Sequence, residues 1–191
     1  TIRGDIKTSF YSEYAMPSNA INNDKRYRFD SLTIRLFASG DYVGDTLAGP
    51  QRIAIHKLKE NIEMDDKGYL YNKSNASYEA SPMSYISFTP HPGQRAKEIE
   101  VRLPDQLGQT WFDLMRDDDL HFRQQTYFRD YFRGLAFIPD SKGMLNGFQV
   151  NDSSFVIAMY YHDITNIPTA MKMVFTPNKT NTFNKVTFDR T

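Results

Sequence analysis

The segment FRDYFRGLAFIPDSKG, residues 128 to 143, decides the fold. From about Asp119 the apolar and bulky positions Phe122, Thr126, Phe128 or Arg129, and Phe132 recur every three to four residues, the period of a helix with one buried stripe. At Gly134 that period stops, and GLAFIP restarts as a strand. Glycine enters the left-handed conformation wanted just past a helix without steric cost. The spacing therefore predicts that Gly134 is a helix C′ residue that turns the chain into a sheet. A second helical stretch lies just before, DQLGQTWFDLMR from Asp105 to Arg116, with Leu107, Trp111, Leu114 and Met115 at helical spacing.

Outward from this pair the chain reads as strands. In FDSLTIRLFASGDYVGDT, beginning at Phe29, Leu32, Ile34 and Leu36 alternate with Ser31, Thr33 and Arg35, as in a half-buried strand. That strand is expected to end in a loop marked by Gly40 and Gly44. QRIAIHKLKE follows, then SYISFTP and KEIEVRLP, which are closed by Pro90 and Pro104. Downstream come SSFVIAMYYHDI, TAMKMVFTP and TFNKVTFDR, the first nearly continuous in apolar residues from Phe155 to Tyr161, as for a central strand. Residues 64 to 82 read as a mobile polar loop with one short strand around Tyr69 to Tyr71. Eight to ten strands without a strand–helix–strand rhythm predict a mostly β fold. It is an antiparallel β-sandwich, jelly-roll-like, with a helical insertion near residues 105–133 covering one end or edge. Residues 1–191 form one domain in this reading.

Composition narrows the function classes. Lys plus Arg and Asp plus Glu both count 23, so no global charge draws the chain to nucleic acid or anionic lipid. Tyr (12) and Phe (14) are abundant, which suits packing on a pleated surface. The absence of cysteine excludes disulfides, thiolate-bound zinc, a cysteine nucleophile and iron–sulfur chemistry. No run approaches the ~18 apolar residues of a membrane-spanning helix.

The candidate chemistry is sparse. Histidines at 56, 91, 121 and 162 lie too far apart for a local metal motif, and structural or solvated roles are the expectation. Asp117, Asp118 and Asp119 precede a helix, where acidic residues cap free amides and face the positive end. A calcium ion, if bound, falls on Asp41 and Asp45 in the glycine-marked loop, though turn chemistry explains those residues equally well. No other cofactor is implied. No carboxylate pair sits in an apolar run, no serine in a nucleophile elbow, and no glycine-rich phosphate loop is present. The chain is accordingly read as non-catalytic, with a hydrolase as the last alternative. Trp111 and Phe132 fall on apolar helix faces and are assigned to the core. Tyr69, Tyr71 and Tyr78 lie in a polar loop and are the candidate ligand-binding residues, since binding surfaces favour tyrosine.

Three segments together resemble a known family: FDSLTIRLFASGDYVGDT with QRIAIHKLKE, then EVRLPDQLGQTWFDLM, then FRDYFRGLAFIP leading into SSFVIAMYYH. The matching positions are Asp30, Ser31 and Leu32; Gly44, Asp45 and Thr46; Leu103 and Pro104; Phe132, Gly134 and Leu135; and Tyr160 and Tyr161. In this order and spacing they are similar to the surface lipoproteins of Bacteroidota that carry a domain of unknown function, over about residues 29 to 162. The resemblance implies an exported protein of the cell envelope, an outer-membrane lipoprotein at the cell surface. Its membrane link would be only an N-terminal lipid anchor outside this sequence, and the chain would be a fragment of a longer lipoprotein. It brings no catalytic residues. The resulting expectation is a cell-surface binding or adhesion module for a glycan or a surface protein. A structural subunit of an envelope assembly is the first alternative.

Overall fold

Alternation builds most of this molecule, a computed structural model that describes residues 5–19, 21, 26–44, 49–89, 97–140, 144–165 and 169–189. Nine strands are described: β1 (Asp5–Ala15), β2 (Tyr27–Gly44), β3 (Gln51–Lys57), β4 (Ser84–Phe88), β5 (Lys97–Arg102), β6 (Leu135–Pro139), β7 (Met144–Gln149), β8 (Phe155–Asp163) and β9 (Thr169–Asp189). Between β5 and β6 lie helix α1 (Asp105–Arg116), a 3₁₀ turn at Leu120–Phe122, and helix α2 (Gln125–Tyr131). The strands pair antiparallel in the order β4-β3-β6-β1-β9-β8-β2-β5, with β7 also on β2. The mostly β, antiparallel fold and its helical insertion are therefore as the sequence predicts.

The two layers of the sandwich are halves of one curled sheet. β9 makes the passage between them: its first part pairs with β8 from Thr169 to Phe175, and its second part pairs with β1 from Thr176 to Asp189. Between the two, Tyr14 faces Pro177 and Ser12 faces Thr182, so four residues of β9 bulge out against one of β1. The hydroxyl of Thr182 donates to the Asn178 carbonyl at 2.8 Å across that bulge. Far from it, the end strands β4 and β5 come back together, with Ser84 Oγ donating to the Arg102 carbonyl at 2.9 Å. The side chains enclosed by the curl form the main core, including Leu32, Ile34, Leu36, Ile55, Trp111, Phe155, Ile157 and Phe175.

Several local expectations change. Gly134 does not cap α2, which ends at Tyr131 with extended backbone already at Phe132 (φ −123°). It is needed two residues later, at φ +111°, where an added Cβ would lie 2.3 Å from the Ser12 carbonyl oxygen. The glycine therefore permits close approach to β1. β2 does not stop at Gly40: Ser39, Gly40 (φ +84°) and Asp41 oppose the single residue Gly147, and pairing with β7 resumes at Tyr42. β1 and β7 are strands the sequence reading did not single out, and its two C-terminal strands are one. Residues 69–71 form no strand, and Leu58↔Tyr78 is an isolated bridge.

Residues 64–82, expected to be mobile, lie as a strap on the outer face of β1, β6 and β9. Ala76 is buried there beside Tyr11, Ala136 and Phe183, and the preceding Ile62 joins the same satellite core. Backbone bonds from Lys59 to Ser77, Glu79 to Lys57 and Val186 to Asn72 tie it down. Buried apolar contact and backbone pairing are what a mobile loop lacks.

Candidate functional site

The two ends of the sandwich differ. At one end α1 and α2 cover the opening, and Trp111 fills it, with ring centroids 4.6 Å from Phe132, 4.8 Å from Phe175 and 5.5 Å from Phe128. At the other end no helix of the described residues covers the core, and the layers part around a cavity of about 470 Å³. Seven strands contribute to its wall: β1, β2, β3, β4, β6, β7 and β9, together with Phe155 at the start of β8.

Strand alternation decides which side chains face in. Phe10 of β1 and Ile53 of β3 belong to the main core, so Ile6, Thr8 and Gln51 share the inner face with them. Tyr11 and Phe183 belong to the satellite core, so Lys7 and Lys185 point outward, whereas Asn184 and Val186 point in. Lys185 Nζ confirms this, bonding to Asn75 Oδ1 of the outer strap at 2.5 Å. Arg52 also borders the cavity. Its guanidinium lies on the outer face, 3.7 Å from the centroid of the Tyr85 ring, and it pairs with Asp140 at 3.3 Å. The interior is thus phenyl and aliphatic, from Phe10, Leu36, Ile86, Phe137, Phe148 and Phe155. Its rim exposes apolar surface to water, with Ile6 40% and Val43 70% exposed. A cavity of this size with an apolar lining and a few polar groups has the character of a small-molecule site.

The candidate residues from the sequence fall elsewhere, with one exception. Asp41 lies exposed among the cavity-lining residues, its backbone N–H bonded to Ser39 Oγ at 3.1 Å; Asp45 lies outside the described residues. Among the described residues no three His, Asp or Glu side chains converge on a metal position. Tyr69 and Tyr71 are exposed on the strap, with ring centroids 6.2 Å apart and a 51° tilt between them. Partial desolvation, then a hydrogen bond to Asp65, raises the Tyr71 phenol above its ordinary value. Asp65 is lowered, first by the Tyr69 backbone N–H that it accepts at 2.8 Å. Tyr78 turns inward instead, its ring 4.9 Å from His56 and 6.3 Å from Tyr11. The structure therefore keeps the first two tyrosines together and makes the third a packing residue.

Polar clusters that could suggest catalysis have structural employment. Glu13 is buried, and its carboxylate accepts from Arg129 Nε at 2.9 and 3.1 Å, Ile62 N–H at 2.8 Å and Asn181 Nδ2 at 2.7 Å. Three donors, with the Arg129 Nε–H shared between both oxygens, make a tie between β1, α2, the segment leading into the strap and the β9 bulge. His56 Nδ1 donates to the Glu79 carbonyl at 2.7 Å, another strap attachment. Asp119 caps the 3₁₀ turn through the His121 N–H at 2.9 Å, as the acidic run before a helix suggests. His91 lies outside the described residues.

The cavity itself was not visible in the sequence. Its wall depends on β1 and β7, whose segments DIKTSFYSEYA and MLNGFQ lack a clean polar–apolar alternation because both faces of β1 are covered and Gly147 interrupts β7. The chain matches no family model, no curated protein and no solved structure.

Proposed function

We propose that the protein is a non-catalytic binding module that takes a small apolar molecule into the open end of its sandwich. The observation that carries this reading is the 470 Å³ cavity, lined by phenyl and aliphatic side chains and open past Ile6 and Val43. Leaving such a surface unfilled is unfavourable by roughly 25 cal/mol per Å² of apolar area facing water, so an apolar occupant stabilises the folded state. An envelope location, with the ligand met outside the cell, is supported only by the resemblance to surface lipoproteins.

The test is titration of an environment-sensitive apolar fluorophore into the purified protein. Saturable enhancement at one site is expected, weakened at least tenfold in Val186→Trp, which puts an indole into the cavity. An unchanged isotherm in a Val186→Trp protein that keeps its circular dichroism spectrum would place the probe elsewhere and end this reading.

A second reading rests on Tyr69 and Tyr71, whose exposed rings suit stacking on sugar faces. It predicts saturable binding on a glycan array that Tyr69→Ala and Tyr71→Ala weaken and Val186→Trp leaves alone. Binding insensitive to both tyrosines would remove it.

A further inference from the structure

The charge and polarity of the cavity say what kind of apolar molecule fits. We infer that its ligand is an uncharged amphiphile, an alcohol, ester or ketone on a hydrocarbon body, with its polar group met either by Gln51 on β3 or by Thr8 and Asn184 on the neighbouring β1 and β9; this rests on the cavity being the binding site. Three observations combine. First, the volume of about 470 Å³ holds on the order of fifteen non-hydrogen atoms at the ~30 Å³ that each water occupies in the liquid. Second, no cationic side chain among the described lining residues faces in: Lys7 alternates to the outer face with Tyr11, and the Arg52 guanidinium stacks on Tyr85 beside Asp140. The charged lining residue outside β1 and β3 is Asp41, an exposed acid.

Third, among the described lining residues the polar side chains that face in, Gln51, Thr8 and Asn184, are neutral. Gln51 is 3% exposed although it is an amide, and its Nε2 donates to the Gly49 carbonyl at 3.2 Å, which fixes the side chain in the wall. Thr8 on β1 and Asn184 on β9 share the inner face, two residues apart in register through the Phe10↔Asn184 and Thr8↔Val186 pairs. They add a hydroxyl and an amide to the wall. An amide and a hydroxyl exchange hydrogen bonds with a neutral oxygen at little desolvation cost. A carboxylate or ammonium brought to the same place loses its hydration without an opposite charge in return, and that penalty is several-fold larger. The lining therefore discriminates by charge, not only by shape.

The experiment is a chain-matched comparison by calorimetry or by displacement of the apolar fluorophore: decanol, decanoate at pH 8, and decyltrimethylammonium, each below its aggregation concentration. The expected result is decanol at least tenfold tighter than either ion. Gln51→Leu or Asn184→Leu should narrow that preference. Decanoate or the cation binding as tightly as decanol overturns the inference and leaves the cavity reading standing. A preference for decanol unchanged in both variants overturns the assignment to these side chains. Binding of none of the three, with the fluorophore also unbound, removes the cavity reading itself.

Discussion

The helix-covered end and the open end of this sandwich are built from the same strands and differ in what closes them. β1 runs from Ile6 and Phe10 at the open end to Tyr14 beside Phe132 at the closed one. β2 runs from Val43 and Leu36 to Phe29 against Phe112 of α1. β9 runs from Val186 to Phe175 under Trp111. A sandwich always has two ends where the layers part, and a helix is one way to fill such a gap. Here the insertion fills one end with the largest side chain available and leaves the other as a chamber. On the proposed reading, stability and binding are separated along the strands: the closed end can be packed to the limit because nothing must enter it.

The largest effect follows from that separation. Trp111→Ala removes a fully buried indole with four aromatic neighbours within about 6 Å, and should cost about 3–5 kcal/mol. Phe148→Ala at the open end should cost less than half as much, because one side of its ring already faces the cavity. Urea unfolding of the two variants checks the contrast, and equal losses would mean that the open end is packed as firmly as the closed one.

The outer face of β1 offers the next test. Tyr11 stacks on Phe183 at 4.6 Å beneath the strap, and burial, with the charge of Tyr78 second, pushes its phenol up to about 12. The charged form is the disfavoured one in the folded state. Tyr11 therefore contributes stability that is whole below its ordinary value of 10 and is lost as pH rises toward 12. The difference corresponds to about 2–3 kcal/mol. Tyr11→Phe should flatten the fall in urea midpoint between those pH values. An equally steep fall in the variant would show that the strap does not exclude water from this ring.

Gly134→Ala should cost about 2 kcal/mol or more, since a Cβ there meets the Ser12 carbonyl and the backbone is held at φ +111°. Gly134→Asn, which tolerates positive φ but carries the same Cβ, separates the two causes. If asparagine is as harmful as alanine, the contact with β1 dominates, as the structure requires. Rescue by asparagine would make the positive φ, not the contact with β1, the dominant cause.

That residue also shows how far the sequence could be read. The break in period at Gly134, the helical spacing of Trp111 and Met115, and the alternation of Leu32, Ile34 and Leu36 are local signals, and each gave its element. β1 hid because both of its faces are buried, one by the core and one by the strap, so Phe10 and Tyr11 are adjacent and apolar on opposite sides. The bulge in β2 looked like a loop for a related reason: Gly40 signals a departure from regular backbone without saying whether pairing resumes. The candidate site was less legible still. A cavity is set by what a curled sheet leaves unfilled, and residues as distant as Thr8, Gln51 and Phe148 carry no shared sequence pattern.

The smallest effect is the most direct probe of how completely the closed end is apolar. The Tyr14 hydroxyl and the Trp111 indole N–H are both buried there without a hydrogen-bond partner among the described residues. Burial pushes the Tyr14 phenol well above its ordinary value, which keeps it protonated and leaves a donor with no acceptor. An unpaired buried polar group costs about 1–3 kcal/mol, so deleting this one should not weaken the fold. Tyr14→Phe keeps the ring against Phe132 and removes only the oxygen. It is expected to leave the urea midpoint unchanged or to raise stability by up to about 1 kcal/mol, whereas Gln51→Leu at the open end exchanges a wall amide that is bonded to Gly49. A loss of more than about 1 kcal/mol in Tyr14→Phe would mean that the hydroxyl is paired after all. The closed end would then be a polar junction like the one around Glu13, and the contrast between the two ends would lie in the helices alone.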